Sequence, residues 1–257
     1  MAVTAQATRL TEEHRRAQGR NSIGLVRGVL GLWPLLDPVR LDATMPSWAR
    51  RVLDLIGRHR SKSERLALDY FDAFRRAETG AGLVLPPMEN LEAGWRDAAE
   101  VSLLVTGPST IKRLSAAGLD PHVAADRASP AVAAAAMRHA AGGGRDALDA
   151  AMLADRLALG YQRITGEKAC AFCALLASRG PVYKSPFSGS RTLRDGKPEP
   201  FHDGCGCVVE VVYDPATALP DASARFAELW ETSTDGLSGK AARNAFRAAY
   251  QKQARAT

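Results

Sequence analysis

All four cysteines of the chain fall in two short segments, "CAFCALLASRGPVY" (170–183) and "FHDGCGC" (201–207). The pattern is Cys170-x2-Cys173, an interval covering residues 174–201, then His202-x2-Cys205-x-Cys207. A Cys-x2-Cys turns two thiolates back on one ion, and a second clip brought alongside completes a tetrahedron. The module around them is too small to bury much core of its own, so a metal would supply the missing folding energy. The expected cofactor is therefore a structural Zn2+. Cys170, Cys173, His202, Cys205 and Cys207 are five candidates for four positions. Residues two apart on a strand share a face, so Cys205 and Cys207 can both reach the ion, with His202 outside it. In the other arrangement Cys170, Cys173, His202 and Cys205 bind and Cys207 packs inside. Both sets stay open at the level of sequence.

Other uses of this pattern fit less well. A redox Cys-x-x-Cys normally follows a strand and opens a helix, whereas here it follows an expected helix and a second clip lies downstream. Disulfide frameworks belong to exported chains. The first residues, "MAVTAQATRLTEEHRR", show no apolar signal core, and a reducing cytoplasm is expected. A zinc deaminase needs His-x-Glu ahead of Pro-Cys-x-x-Cys; here Ala169 precedes the first clip and Asp203-Gly204 follow His202. No His-Glu-x-x-His is present either. Four protein ligands leave the ion no open position, which makes the site structural rather than catalytic. Ser178 and Ser185 lie near the first clip without a free base, and His14, His59, His122 and His139 are scattered in helical or loop contexts. The expectation is a protein without a catalytic constellation.

The rest reads as helix. Apolar positions recur at helical spacing in 22–36 (Ile23, Val26, Leu30 and Trp33 on one face, ended by Pro34), 44–60 (Thr44 or Ser47 as cap, Pro46 early), and 61–78 (a Ser61–Glu64 capping box). A break at 79–90 precedes expected helices at 91–107, 109–118, 129–144 and 145–165, with Gly142–Gly144 as a hinge. The β-branched pieces 180–183 and 207–213 read as strands, with a turn-rich loop at 184–200 between them. After a connector at 214–222, helices are expected at 223–232 and 238–253. The fold class is mainly α, with a small α+β zinc-clip module containing a short β-hairpin in the C-terminal half. Three parts follow: a helical N-terminal domain (1–144), the clip module (145–215) and a helical C-terminal tail (216–257).

The run "IGLVRGVLGLWPLL" (23–36) holds Arg27 and Pro34 and is too short to span a bilayer, so no membrane association is expected. The net charge is +6, mostly from Arg, which suits phosphate forks and interface ion pairs. Lys184, Arg191, Arg194 and Lys197 gather between the clips and offer a contact to nucleic-acid phosphates, offset in part by Asp195 and Glu199.

Taken together, "RIT" (163–165), "CAFCALLASRGPVY" and "FHDGCGCVVEVVY" (201–213) resemble the Mu F-like minor head protein family of tailed phages. In that family an Arg-x-Thr, here Arg163 and Thr165, leads into the first clip. The tail "ELWETSTDGLSGKAARNAFRAAY" (228–250) is similar to tails of actinobacteriophage members. The resemblance is specific over about 161–213 and general elsewhere. It implies a low-copy virion protein inside the capsid near the portal, present in host cytoplasm during assembly. It also implies action in head assembly and in packaging or ejection of double-stranded DNA. The portal protein is the implied partner, with scaffold or major capsid protein as further ones. Two other functions are kept beside it: a capsid maturation protease and a zinc-knuckle nucleic-acid-binding protein.

Overall fold

The computed structural model describes residues 4–85, 94–184, 191–192, 198–199 and 201–256. Helix α1 (Ala5–Leu32) opens at Thr4, whose hydroxyl accepts from the Ala7 amide, and runs into a 3-10 turn at Trp33–Leu35. The polar first twenty residues and the apolar stretch after them are thus one helix. Helix α2 (Leu41–Thr79) joins the two blocks expected at 44–60 and 61–78. Nothing between them breaks a helix. Ser61 is not a cap, since its hydroxyl bonds back to the Gly57 carbonyl inside the helix. Thr44 likewise bonds the Arg40 carbonyl in the first turn. Gly80 ends α2 in the left-handed conformation.

Helices α3 (Trp95–Thr106) and α4 (Pro108–Ala116) follow; part of the break expected at 79–90, and residues 91–93, lie outside the described residues. Helix α5 (Pro121–Ala154) is capped by Asp120, whose carboxylate accepts from the His122 and Val123 amides. It runs unbroken through Pro130 and Gly142–Gly144. The glycine triplet is not a hinge. It is where α5 crosses α2 at close range. A Cβ on Gly143 would stand 2.5 Å from the Arg60 carbonyl oxygen, and one on Gly144 would stand 2.6 Å from Ser63 Oγ. Only hydrogens fit between the two backbones there. The boundary drawn between 144 and 145 consequently falls inside a helix.

The helix expected at 145–165 stops at Ala154, and strand β1 (Gly160–Ile164) takes its last residues. It pairs antiparallel with β4 (Val208–Val212) in the register Gly160↔Val212 to Ile164↔Val208, every residue buried. The piece at 180–183 forms no strand and contributes one bridge, Tyr161↔Tyr183. Between them lie α6 (Ala171–Ala177) and a minimal hairpin of β2 (Arg191–Thr192) with β3 (Pro198–Glu199). Helices α7 (Asp221–Thr234) and α8 (Gly239–Ala256) close the chain as the tail pattern predicts.

Among the described residues the interior forms three clusters. One holds the C-terminal part of α1, the first half of α2, and α3, α4 and the first half of α5, around Trp48, Ile56 and Leu103. The second holds the far halves of α2 and α5 with the sheet and the cysteines, around Phe71, Phe74 and Tyr161. The third seats α7 and α8 on α6 through Phe226 and Phe246. Two buried polar knots tie the second cluster together. Arg75 meets Asp155 through two contacts, at 2.8 and 3.3 Å, and Tyr213 donates to the same carboxylate at 2.9 Å. Gln162 and Thr11 both donate to Glu210, and Thr11 also bonds Tyr70. Burial holds the Glu210 carboxyl above its ordinary range.

In the apolar part of α1 the fully buried side chains are Leu25 and Val29, while Ile23 and Leu30, on the face expected to be buried or to dock, are exposed. Residues 23–36 are apolar on both sides, and periodicity alone selected the outer one.

Candidate metal centre

The sheet register brings the two clips together. Chain leaving β1 at Ile164 enters the first clip, and chain leaving the second clip enters β4 at Val208, directly opposite. Both clips therefore lie at the same end of the sheet. Cys170 is the N-cap of α6, its sulfur accepting from the Cys173 amide at 3.3 Å. The second clip is docked on α5. The Gly204 amide, at a φ of 71° that only glycine adopts without strain, donates to the Ala134 carbonyl at 3.0 Å. Arg138 Nε meets Asp203 at 2.6 Å, and the turn closes with the Cys205 amide on the His202 carbonyl.

The five candidate donors meet in two groups that share Cys173. His202 Nε2 stands 3.1 Å from Cys170 Sγ and 3.2 Å from Cys173 Sγ. Cys173 Sγ is 3.5 Å from both Cys205 Sγ and Cys207 Sγ, and the latter two are 2.8 Å apart with both thiols free. Among the described residues two groups fall within metal-holding range, Cys170–Cys173–His202 and Cys173–Cys205–Cys207, with Cys173 common to both. Ligands at about 2.3 Å from a tetrahedral zinc stand about 3.8 Å from one another. Within each group the quoted separations are tighter, 2.8 to 3.5 Å, while Cys170 and His202 fall in no group with Cys205 or Cys207, so a single four-ligand site requires the two clips to close further around Cys173. Four thiols and an imidazole are the soft donor set that zinc takes.

Outer contacts orient this set. His202 Nδ1 lies 2.7 Å from the Asp203 carbonyl, a bond in which the ring nitrogen donates and Nε2 is left facing the thiols. Hydrogen bonding from Cys173, then from His202, brings the Cys170 thiol down to about 4. The contact with Cys170 in turn lifts His202 to about 9. Contacts with Cys173 and Cys207 push Cys205 down as well. Cys173 moves the other way, pushed up by its contacts with Cys170, Cys205 and Cys207, and Cys207, although the contact with Cys173 lowers it, is held up at about 11 by Cys205 and by burial. The cluster therefore favours thiolates at Cys170 and Cys205 and protonated thiols at Cys173 and Cys207, whose protons a bound metal would displace.

Two buried guanidinium groups sit against this negative charge. Arg145 and Arg163 stack on the ring of Phe201, at 3.7 and 4.0 Å from its centroid. Arg145 Nη2 donates to the Cys205 carbonyl at 2.7 Å, and Arg163 Nη1 lies 3.9 Å from Cys207 Sγ. A zinc with three thiolates carries a net negative charge, and two such cations offset it where water cannot. Sequence reasoning singled out Arg163 but missed Arg145 and Phe201. The only local signal was that Phe201 directly precedes His202. Thr165 is half-buried just past β1, and no bond among the described residues ties it to the cluster.

The basic residues between the clips are not brought together by the described part of the structure. Lys184 is exposed, Arg191 lies in β2, and Ser185, Arg194 and Lys197 fall outside the described residues. Elsewhere, Ser102 Oγ meets His139 Nε2 at 2.8 Å. The same hydroxyl is 2.9 Å from the Ala98 carbonyl, and Arg138 approaches both Ser102 and His139. That network bridges α3 to α5, and burial brings His139 down to about 4.

Among the described residues no helix is long and apolar enough to cross a membrane. No curated protein and no solved structure matches the chain. The family model described as VG15 protein matches residues 4–233, from the cap of α1 almost to the end of α7. With both clips and the helical body inside that match, the chain belongs to the phage-related VG15 protein family.

Proposed function

We propose that this chain is a minor head protein of a tailed phage, of the Mu F-like kind. It acts by binding rather than catalysis, near the portal inside the head, in head assembly and in packaging or ejection of double-stranded DNA. The observation that carries this reading is the meeting of the two clips at Cys173, within a chain whose match to a phage-related family spans residues 4–233. In this reading Cys170, Cys173, His202 and Cys205 hold a structural Zn2+. Cys207, fully buried beside Arg163, stays outside the ligand set. Bound zinc contributes folding energy. The chain's own residues do the rest: Arg145, Arg163 and Phe201 fix the second clip, and α6 carries the tail helices.

Elemental analysis of protein purified without added metal tests the site. One zinc per chain is expected, lost in Cys205→Ser and kept in Cys207→Ala. Zinc kept in Cys205→Ser and lost in Cys207→Ala would reverse the assignment, and no zinc in any sample would sink it. Mass spectrometry of purified virions tests the location, with the protein expected at low copy and shielded from external protease until the head opens.

A further inference from the structure

The outer face of α1 carries apolar side chains that no core cluster uses. Ile23 is 54% exposed and Leu30 45% exposed, with Val26 half-buried between them, while Leu25 and Val29 fill the core from the other side. A helix apolar on both sides belongs where both sides are covered. Beside this face, α1, α5 and the segment Cys205–Val209 line a cavity of about 480 Å³, within the usual size of a ligand pocket. Its walls include Ile23, Val26, Met137, Leu148 and Val209.

The charge around the cavity has one sign. No carboxylate lines it. Arg27 stands exposed at the rim, with no ion-pair partner among the described residues. Arg145 also lines it, 7% exposed, and its Nη1 has no hydrogen-bond partner. A buried guanidinium N–H without an acceptor is costly. Between His14 and Leu36 the sequence has Arg15, Arg16, Arg20 and Arg27 and no acidic residue; Arg15 and Arg16 pair with Glu12, which leaves Arg20 and Arg27 on this stretch.

We propose that this groove receives an acidic amphipathic helix from a partner protein. Its apolar side chains fill the cavity, and carboxylates beside them meet Arg27 at the rim. This is the helix-in-groove mode of recognition. A second copy of the chain fits less well, because two α1 faces brought together would oppose Arg20 and Arg27 with like charges. The inference rests on the groove and does not require the metal assignment.

The test uses the full chain and two labelled peptides of about 18 residues, long enough to hold a helix. One has Leu on one face and Glu on the other, and its twin has Lys in place of Glu. Fluorescence anisotropy is expected to show saturable binding of the Glu peptide, weakened about tenfold or more by Ile23→Asp, a change at an exposed position. The Lys twin is expected to bind weakly and to recover on Arg27→Glu. Zinc content measured on the same samples separates a clip that has not formed from a groove that does not bind. Absence of binding, or equal affinity for the two peptides, overturns the proposal. So does a concentration-dependent dimer in sedimentation that Ile23→Asp abolishes, since the face would then belong to a second copy.

Discussion

Replacing Gly143 by Ala puts the α2–α5 crossing to a direct test. The added Cβ would lie 2.5 Å from the Arg60 carbonyl oxygen, 2.7 Å from its Cγ and 3.1 Å from its carbonyl carbon. Ordinary contact begins at 3.4 Å, so the helices must part by about 1 Å, and the atom in the way is backbone that cannot rotate aside. Overpacking of this kind costs about 1–3 kcal/mol. Alanine returns about 1 kcal/mol of helix propensity, which leaves a net loss of up to about 2 kcal/mol. Gly19 is the control. It is mid-helix in α1 and nothing lies within 4 Å of an added Cβ, so Gly19→Ala should stabilise by about 0.5–1 kcal/mol. Urea unfolding reads both, as midpoints moving in opposite directions at unchanged slope. If Gly143→Ala raised the midpoint as Gly19→Ala does, the close crossing would be wrong and the triplet would be free to flex.

Arg75→Leu should cost about 3–5 kcal/mol in the same assay, because it leaves Asp155 charged and almost fully buried without its partner; a loss below about 1 kcal/mol would show that water reaches that carboxylate. Burial brings His14 from 6.5 to about 4, so the folded state keeps it neutral while the unfolded chain protonates near 6.5. Its contribution of about 3 kcal/mol is present above pH 6.5 and lost as pH falls from there to about 4. His14→Gln should flatten that limb of the stability profile in part, since His139 has the same shift, and an unchanged limb would clear His14 of the effect. Phe201→Leu removes two buried cation–π contacts, each worth about 1–2 kcal/mol, and should lower the thermal midpoint; a variant as stable as the parent would mean that the two arginines are held by their other bonds alone.

The clips were legible because metal chemistry demands particular residue types at particular spacings, and no tertiary context is needed to see them. Helical character was equally plain, since capping and apolar periodicity act locally. Helix continuity was not. Ser61 has the chemistry of a cap and Gly142–Gly144 the chemistry of a break, yet both lie within unbroken helices, because α2 and α5 press against each other there and the partner backbone decides. Strand β1 was hidden for a similar reason. "GYQRI" has no helix breaker after its first residue, and only pairing with Val208–Val212 settles it. Arg145 and Phe201 were invisible as parts of the centre because their tie to the cysteines runs through space between distant segments.

The placement of α5 has a consequence for how the chain is made. It packs against α1, α2, α3, α4 and β4, so each of the four preceding helices needs a partner that leaves the ribosome after all of them. Until residue 154 has emerged, α1 to α4 have only one another, and Trp48, Ile56 and Leu103 have half a core. Synthesis runs at about 5–20 residues per second, so that apolar surface stays uncovered for seconds in the nascent chain. Such an interval favours capture by chaperones or by the chain's assembly partner, and docking during translation would then compete with completion of the fold itself.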